Sequence, residues 1–453
     1  MRTVSKTVIG VDFGTQSARA VLVNAENGEI IYSCRKQYPY NSTPVPAIDC
    51  AENLPCATDY EMTLYELLRN VIPEEYRKTV AGICIDATSL TMVLLAEDGR
   101  ALSELDGWSE AAHARVKLWK YHRAQEKADE ALNLASNLQE PFLGRTGGSI
   151  SCEWMLPKLL EVRDEAPEIY SKIDLAMDLC EFLTFRLTGQ LVRSIGSLSY
   201  KCLWAEDLSF PERTFLNGLR AGFYEEYCHF LRGDVRKPGE CAGMLRSELT
   251  KRWGLPEQIP VATGMLDGHT SLATMGAFKP GDAALIVGTS NVCTVQDRKL
   301  QELKDVCGVA QDGMVTGSCG IDTGQSSTGN MLGWFVEHMA GWQIHREAEE
   351  RKISPHQVLA ERIQKPWENK VIAVDWWSGS RNAPCDLTLR GSMSGLEMDT
   401  KTEDIYLALL QAIACGTGTI LESLSGQGVE IRRVLATGGI TEKNPLLMQE
   451  YAN

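Results

Sequence analysis

An aspartate and a Gly-Thr turn stand between two apolar, strand-like runs near the start of the chain. The stretch "VIGVDFGTQSARAVLV" covers residues 8–23 and places Asp12 where the first strand should end. Gly14 lets another group approach the backbone closely, and Asp12 could hold Mg²⁺ through its water shell, because that ion prefers few carboxylates and several waters. Donor side chains follow directly, at Thr15, Gln16 and Ser17. The same residues fit an ordinary hairpin turn with a capping aspartate, so this motif alone leaves both interpretations open.

The same arrangement recurs in the second half of the chain. There "DAALIVGTSNVCTVQD" (282–297) repeats the order of apolar strand, Gly-Thr turn and second strand, with Gly288, Thr289 and Ser290 in the turn. Successive backbone N–H groups in such turns can bind an anion. Two copies at equivalent points of two repeats favour a phosphate site, and two such loops could hold a triphosphate from both sides.

A second aspartate with catalytic potential lies in "GMLDGHTS", residues 264–271. Asp267 follows a short strand-like run and precedes a predicted helix. A carboxylate in this place could accept a hydroxyl proton during phosphoryl transfer. The alternative is a helix N-cap, a position that suits aspartate well. His269 is the other candidate base, but a histidine so placed is more often a surface residue, and we rank Asp267 first.

A third glycine turn follows a buried-strand pattern in "ATGGITEKNP", residues 436–445. Gly438 and Gly439 would let a flat ring lie on the backbone, and Asn444 could open the next helix. Taken alone, this segment is better explained as a strand–helix turn with an asparagine N-cap. The chain contains neither G-x-x-x-x-G-K-[ST] nor G-x-G-x-x-G, so a nucleotide site would have to be of another type.

The order of the elements predicts a duplicated α/β architecture. A chain of 453 residues is too long for one core, and both halves begin with strand, Gly-Thr turn and strand. We expect domains at residues 1–258 and 259–453, with a cleft between them. A helix is predicted over 403–424, with Thr400 and Glu403 as its capping box.

Composition excludes several classes of protein. A formal net charge of −15 argues against nucleic acid or an anionic membrane as a partner. The 14 cysteines include no C-x-x-C pair, which indicates buried thiols in a reducing compartment rather than a zinc site. The first residues lack a signal-peptide core, and no apolar run approaches the ~20 residues that span a bilayer. We therefore expect a cytoplasmic protein.

Four of the quoted segments together resemble the FGGY carbohydrate kinases. They are "IGVDFGTQSARAVLV", "GMLDGHTS", "IVGTSNVCTV" and "ATGGITEKNPLLMQ". Other segments, such as "EWMLPKLLEVRDEAPEIY" and "SLSYKCLW", look like those of the family's L-ribulose-phosphorylating members, and the resemblance runs in order along nearly the whole chain. It implies the actin/hexokinase-type (ribonuclease H-like) duplicated fold with a central cleft. Family members continue well beyond "NPLLMQEYA", so the second domain is expected to be incomplete.

The resemblance also implies a role for each matching residue. Asp12 corresponds to the family's metal-associated aspartate, and Asp267 to its catalytic base, which also contacts the sugar. The residues expected to bind ATP are those of the three glycine turns: Gly14, Thr15, Gln16, Ser17, Gly288, Thr289, Ser290, Gly438, Gly439 and Asn444.

The sugar pocket implied by the resemblance also includes Ser89, Lys201 and Asp322. The chain departs from the family pattern at two of these positions. Position 322 carries Asp where the L-ribulose-phosphorylating members usually carry Glu, and its shorter reach could alter sugar preference. Position 89 carries Ser where a smaller residue is expected, and its hydroxyl could either donate to the sugar or narrow the pocket.

The activity that the resemblance implies is ATP- and Mg²⁺-dependent phosphorylation of L-ribulose to L-ribulose 5-phosphate in L-arabinose catabolism. The sequence does not fix the oligomeric state, and a homodimer is one assembly open to the chain. Two alternatives stay open. One is a kinase for another pentulose, such as D-ribulose or D-xylulose. The other is a sugar or nucleotide sensor without catalysis, which retention of both Asp12 and Asp267 disfavours, because binding alone needs no base.

Overall fold

The structure is a computed structural model, and it describes residues 5–38, 54–363, 370–381, 386 and 388–453. The chain divides into two compact units. Unit 1 comprises Met1–Leu143, Ser149–Thr270 and Ala310–Gly317, and unit 2 comprises Gly144–Gly148, Ser271–Val309 and Ser318–Asn453. Each unit is built from strands and helices, which confirms the duplicated α/β class.

The strands are β1 (Thr7–Phe13), β2 (Ser17–Asn24), β3 (Ile30–Gln37), β4 (Val80–Ala87), β5 (Met92–Leu95), β6 (Leu175–Asp178), β7 (Val192–Ser194), β8 (Asp234–Arg236), β9 (Cys241–Met244), β10 (Pro260–Ala262), β11 (Met265–Leu266), β12 (Asp282–Val287), β13 (Asn291–Asp297), β14 (Gly308–Gln311), β15 (Cys319–Gln325), β16 (Ile372–Ala373), β17 (Met393–Ser394) and β18 (Arg433–Thr437). The helices are α1 (Ala57–Asn70), α2 (Gln125–Leu138), α3 (Met155–Glu165), α4 (Pro167–Tyr170), α5 (Leu179–Thr188), α6 (Ile195–Lys201), α7 (Arg213–Leu219), α8 (Phe223–Phe230), α9 (Ser247–Trp253), α10 (Asp267–Met275), α11 (Gly329–His338), α12 (Gly341–Arg351), α13 (Pro355–Arg362), α14 (Thr402–Gly426), α15 (Gly439–Lys443) and α16 (Pro445–Ala452).

The sheet of unit 1 has the order β3-β2-β1-β4-β10-β9, and β11 also pairs with β4. Strands β1 and β2 form an antiparallel pair around the Gly14 turn, whereas β1 and β4 run parallel. In β1 every second side chain is buried, which is the pattern of a strand with one face on a core. Strands β10 and β11 run parallel to β4 in succession. The parallel strands therefore end at one edge of this sheet.

The main sheet of unit 2 repeats the arrangement, with the order β14-β15-β13-β12-β18. Strands β12 and β13 are antiparallel around the Gly288 turn, and β12 and β18 are parallel. Strand β12 therefore corresponds to β1, and β18 corresponds to β4. This matching topology places both Gly-Thr turns at the carboxyl end of the first strand of a sheet.

The division between the units differs from the expected boundary near residue 258. Residues 259–270 belong to unit 1 because β10 and β11 pair with β4 of the first sheet. Asp267 accordingly lies in unit 1 rather than in the second half of the duplication. Short strands of this kind carry little pattern of their own, so their sheet is decided by pairing with a distant strand.

Two further sequence predictions need correction. The predicted capping box of α14 does not form: the Thr400 hydroxyl accepts a hydrogen bond from the Glu397 N–H (2.8 Å). The start of the helix is held instead by the Asp404 carboxylate, which accepts the Lys401 N–H (2.9 Å), while the Lys401 side chain has no acceptor and caps nothing. Helix α14 is also an apolar segment of 25 residues, long enough to cross a membrane by length and composition. Half of its most apolar window is buried, and its buried side chains belong to the core of unit 2, as in a core helix of a globular domain.

Candidate active site

Two carboxylates stand side by side at the edge of the first sheet. Asp12 and Asp86 are register partners on the parallel strands β1 and β4, so their side chains leave the same face at the same level. Their charges interact and their carboxyl groups share a hydrogen bond, and burial together with the Asp12 charge raises the pKa of Asp86 above its usual range. Two neighbouring carboxyl groups of this kind share either a proton or a cation.

A third carboxylate, that of Asp267, reaches the same edge from the start of α10. Strand β11 pairs with the end of β4 at Met265 and Asp86, which brings Asp267 close enough for its charge to raise the pKa of Asp86 further. The Thr270 hydroxyl, one turn into α10, donates to the Asp267 carbonyl (2.6 Å) and also interacts with the Asp86 carboxyl group, an interaction that lowers the pKa of Asp86. The edge therefore carries three acidic side chains, all partly exposed.

The Asp267 carboxylate is fixed by two backbone donors. Its Oδ1 accepts the N–H of Gly268 (2.7 Å), and the carboxylate also accepts the N–H of Ser89. Burial is the largest influence on this group and raises the pKa of Asp267 to about 6. A carboxyl group with a pKa near neutrality can both lose and regain a proton under physiological conditions, which is what a general base requires.

Two predicted sugar-pocket residues lie near this carboxylate. The hydroxyl of Ser89 is buried and has no hydrogen-bond partner among the described residues, which leaves it available to a ligand hydroxyl. The positive charge of Lys201, at the end of α6, acts on Asp267 and lowers its pKa. Unit 1 therefore brings Asp12, Ser89, Lys201 and Asp267 together.

His269 is not a surface residue, contrary to the sequence-based expectation. It is buried, and its ring contacts the edge of Tyr200 with the ring centres 4.8 Å apart. Tyr200 and Lys201 are neighbours in α6, so this contact packs α6 against the start of α10. The His269 ring thereby supports the elements that carry Lys201 and Asp267.

The first Gly-Thr turn is held by side chains from elsewhere in unit 1. The Tyr38 hydroxyl donates to the Gly14 carbonyl (2.8 Å), and the Trp119 indole N–H donates to the Thr15 hydroxyl oxygen (3.1 Å). Because an indole N–H can only donate, the Thr15 proton stays free to point elsewhere. Ser17 starts β2 and accepts from Arg35 (3.0 Å), while Gln16 is exposed.

The second Gly-Thr turn is held by the start of α11. The Thr328 hydroxyl donates to the Gly288 carbonyl (2.9 Å), and the N–H groups of Thr328 and Asn330 both donate to the Thr289 carbonyl (3.2 Å each). Ser290 closes the turn through its carbonyl, which accepts the Gly288 N–H (3.1 Å). In the first turn the Gly14 N–H likewise donates to the Ser17 carbonyl (3.2 Å).

Neither glycine of the two turns is required by the protein's own packing. A side-chain Cβ at Gly14 would lie 3.4 Å from its nearest neighbour and one at Gly288 would lie 3.6 Å away, both ordinary contacts. The packing of the chain would therefore tolerate a side chain at either position, which favours a glycine kept for the close approach of a ligand over one needed by the turn itself.

The third glycine turn lies at the end of β18, next to the end of β12. Gly438 has φ +113°, and a Cβ there would lie 2.3 Å from the Val287 carbonyl oxygen, so only glycine fits. Gly439 has no neighbour within 4 Å of a Cβ. Asn444 caps α16 as predicted: its Oδ1 accepts the Leu447 N–H (3.0 Å) and its Nδ2 lies 3.2 Å from the Tyr406 hydroxyl.

The remaining predicted sugar contact, Asp322, lies in unit 2. It is a buried residue of β15 and is the register partner of Thr294 on β13. The structure therefore places the predicted site residues in two groups, one in each unit.

Two family models cover almost all of this chain. Residues 7–275 match the N-terminal domain of the FGGY family of carbohydrate kinases, and residues 283–453 match its C-terminal domain. The chain belongs to the FGGY family of carbohydrate kinases. This confirms the resemblance inferred from the four quoted segments.

Named relatives of this FGGY chain include two ribulokinases. That of Halalkalibacterium halodurans is 34% identical over 459 residues, covering 99% of this chain and 82% of the relative. That of Mycolicibacterium smegmatis is 36% identical over 464 residues, covering 99% of this chain and 81% of the relative.

Solved structures share the fold at lower sequence identity. The xylulose kinase of Rhodospirillum rubrum aligns with a TM-score of 0.76 and 20% identity, covering 99% of this chain and 84% of that one. The glycerol kinase of Plasmodium falciparum, solved with ADP, aligns with a TM-score of 0.78 and 17% identity over the same shares. Together with the repeated sheets, these similarities confirm the actin/hexokinase-type fold of the FGGY kinases.

Asp86 is the site residue that sequence reasoning missed. It ends the apolar run "VAGICIDA" in the same way that Asp12 ends "VIGVD". An acidic residue after a buried strand was thus present as a signal at both positions. Only the parallel pairing of β1 with β4 shows that the two carboxylates are neighbours.

Proposed function

We propose that this chain transfers the γ-phosphoryl group of ATP to the terminal hydroxyl of L-ribulose, giving L-ribulose 5-phosphate and ADP. The observation that carries the proposal is Asp267, whose carboxylate is fixed by two N–H donors, has a pKa raised to about 6 and lies beside the unpartnered Ser89 hydroxyl. Relatives named ribulokinase, which are 33–36% identical over nearly the whole chain, support ribulose as the acceptor. The L configuration is part of our proposal.

In this reaction Asp267 acts as the general base. Its carboxylate takes the proton of the sugar's terminal hydroxyl while that oxygen forms a bond to the γ-phosphorus and the bond to the β,γ-bridging oxygen breaks. The N–H donors of Gly268 and Ser89 keep the carboxylate oriented before and after it gains the proton. Ser89 and Lys201 bind the sugar beside the base, and Asp322 is a further proposed sugar contact.

The three glycine turns bind the nucleotide. We assign the phosphates to the turns at Gly14–Ser17 and Gly288–Ser290, whose carbonyl groups are engaged within their own units. We assign the adenosine to the turn at Gly438–Gly439, where the absence of a Cβ allows a ring to lie on the backbone. In this assignment Asn444 supports the turn as the cap of α16 rather than by touching the base.

The residues at the first sheet edge fit a Mg²⁺ ion. The adjacent carboxyl groups of Asp12 and Asp86, which repel each other when both are ionised, form the kind of oxygen donor set that Mg²⁺ accepts together with water. When bound, Mg²⁺ neutralises charge on the transferring phosphates. Asp12 and Asp86 would hold it, and Asp267 remains the group that accepts the proton.

A panel of pentuloses tests the proposal. We expect ADP release with L-ribulose at least tenfold faster than with D-ribulose or D-xylulose. Asp267→Asn should lower the rate by about 10²–10⁴-fold while sugar binding stays within a few-fold of wild type. Faster turnover of another pentulose would replace L-ribulose as the substrate, and wild-type turnover by Asp267→Asn would refute the role of the base.

A further inference from the structure

A fully buried lysine, Lys158 of α3, contacts the backbone next to the candidate base. Its Nζ donates to three carbonyl oxygens, those of Leu90 (2.6 Å), Leu118 (2.9 Å) and Lys117 (3.3 Å). The side chain has no measurable exposure. The ammonium form has three N–H donors, so each donor has a backbone acceptor. Burial lowers the pKa of Lys158 to about 7, and the charges of Glu153 and Asp178 act in the opposite direction.

The first of these carbonyls belongs to a residue with a strained backbone. Leu90 has φ 64°, the left-handed region that bulky side chains rarely adopt. Its N–H donates to Oδ2 of Asp178 (3.1 Å), another buried residue. Both backbone polar groups of Leu90 are therefore held by buried polar side chains, and such strain persists only where the surroundings hold it in place.

The strained turn at Leu90 contacts Asp267 through the preceding residue. Ser89 immediately precedes Leu90, and its N–H donates to the Asp267 carboxylate. If Leu90 relaxed to an ordinary φ, the chain before its N–Cα bond would turn relative to the chain after it. The whole of Ser89 would turn with it, so the Ser89 N–H and the buried Ser89 hydroxyl would both change direction. The conformation of Leu90 thus sets the geometry of the Ser89 contacts.

The second and third carbonyls lie beside another site element. Leu118 is followed by Trp119, whose indole N–H donates to the Thr15 hydroxyl in the first Gly-Thr turn (3.1 Å). One ammonium group therefore joins the turn that carries Ser89 to the segment that carries Trp119.

We propose that Lys158 is a positioning residue for phosphoryl transfer: it holds Leu90 in the left-handed conformation, so that the Ser89 N–H stays directed at the Asp267 carboxylate. Lys158 touches neither substrate nor nucleotide in this role. The proposal rests on the function proposed above, in which Asp267 is the general base. It adds one requirement to that function, namely that Lys158 holds the backbone conformation of the Ser89–Leu90 turn.

The test begins with Lys158→Met, which keeps the length of the side chain and removes all three donors. A misplacement of about 1 Å can cost 10²-fold in rate, so we expect kcat to fall by about 10²-fold with a KM for sugar within about threefold of wild type. The matched control is Lys117→Met. Lys117 is equally buried and lies 3.9 Å from Glu161, and its side chain makes no contact with the Leu90 backbone among the described hydrogen bonds.

Restoring kcat with a second substitution distinguishes a positioning role of Lys158 from a contribution to overall stability. In the Lys158→Met background, Leu90→Gly should restore kcat at least tenfold because glycine adopts a positive φ without strain. Leu90→Ala removes most of the same side chain as Leu90→Gly but keeps the backbone strain, so it should not restore kcat. Equal effects of the two substitutions, or a Lys158→Met kcat within threefold of wild type, would overturn the proposal. If Lys158→Met does not fold, Lys158→Gln, which keeps two donors, takes its place and should show a smaller loss with the same pattern of rescue.

Hydrogen–deuterium exchange of the peptide covering residues 87–92 tests the turn without any substrate. Exchange should accelerate at least tenfold in Lys158→Met and stay at the wild-type rate in Lys117→Met. Unchanged exchange in Lys158→Met would overturn the proposal even in an active kinase. If the wild-type protein phosphorylates no pentulose while the exchange result holds, the proposed function fails and the turn's dependence on Lys158 stands.

Discussion

Asp267 combines two properties that an ordinary helix N-cap lacks. Burial raises its pKa to about 6, and its carboxylate is held by N–H groups from two separate segments, at Gly268 and Ser89. A capping aspartate on a surface helix would be solvated and would ionise near its usual value. The environment of the residue, rather than its place at a helix start, marks it as the candidate base.

The raised pKa predicts an acid limb in the pH profile. Asp267 accepts a proton only when it is ionised, so the ionised fraction and kcat should both fall about tenfold per pH unit below the pKa. At saturating Mg²⁺ and sugar we expect the midpoint at or below pH 6, because a nearby cation can only lower the value. A midpoint above pH 7, or one that persists in the residual activity of Asp267→Asn, would assign the limb to another group.

We expect Asp86→Asn to weaken Mg²⁺ binding without lowering the stability of the metal-free protein. The amide removes one of two neighbouring carboxyl groups, which relieves the repulsion with Asp12 and should leave the metal-free Tm unchanged or higher. The Mg²⁺ concentration for half-maximal activity should rise about tenfold or more. A lower Tm with unchanged Mg²⁺ dependence would show that Asp86 is a structural residue only.

At the scale of elements, the proposed ligand-binding loops follow the carboxyl ends of two parallel strands in each sheet. In unit 2, β12 and β18 end at Val287 and Thr437, and each is followed by a glycine. The close approach of Gly438 to the Val287 carbonyl joins these two ends. The adjacent turns at Gly288 and Gly438 are therefore one structural feature.

A pair of glycine substitutions tests that feature. Gly438→Ala introduces a Cβ 2.3 Å from the Val287 oxygen at φ +113°, so we expect a loss of stability of about 1–3 kcal/mol and a lower Tm. Gly439→Ala, where a Cβ has no neighbour within 4 Å, serves as the control for stability and should leave Tm within about one degree. Differential scanning fluorimetry checks both, and equal Tm values for the two variants would contradict the assigned packing.

At the scale of the whole molecule, each unit has its own sheet and its own core. Unit 1 holds the three carboxylates, Ser89 and Lys201, whereas unit 2 holds Asp322 and two of the three glycine turns. We expect sugar to bind without nucleotide, because Ser89, Lys201 and Asp267, three of the four proposed sugar contacts, all lie in unit 1.

Thermal unfolding with sugar alone tests this independence and the sensor alternative together. A ligand at 100 times its dissociation constant stabilises the folded protein by about 2.7 kcal/mol, so saturating L-ribulose without ATP should raise the Tm by a few degrees. Asp267→Asn should show a similar shift. A shift accompanied by no ADP release when ATP and Mg²⁺ are added would favour a sensor, and the absence of any shift with active turnover would show that sugar binding requires nucleotide.

The sequence alone was sufficient to predict the duplicated α/β architecture, both Gly-Thr turns and the asparagine cap of α16, while the role of Asp267 as the base stays a prediction. These features depend on local chemistry: alternating apolar residues form strands, glycine marks turns, and Asp or Asn suits a helix start. Tertiary structure alone decided that Asp86 stands beside Asp12, that residues 259–270 join the first sheet, that His269 is buried and that Lys158 reaches the Leu90 carbonyl. Each of these depends on contacts between residues far apart in the chain, and such contacts are set by strand pairing and packing, which leave no local pattern to read.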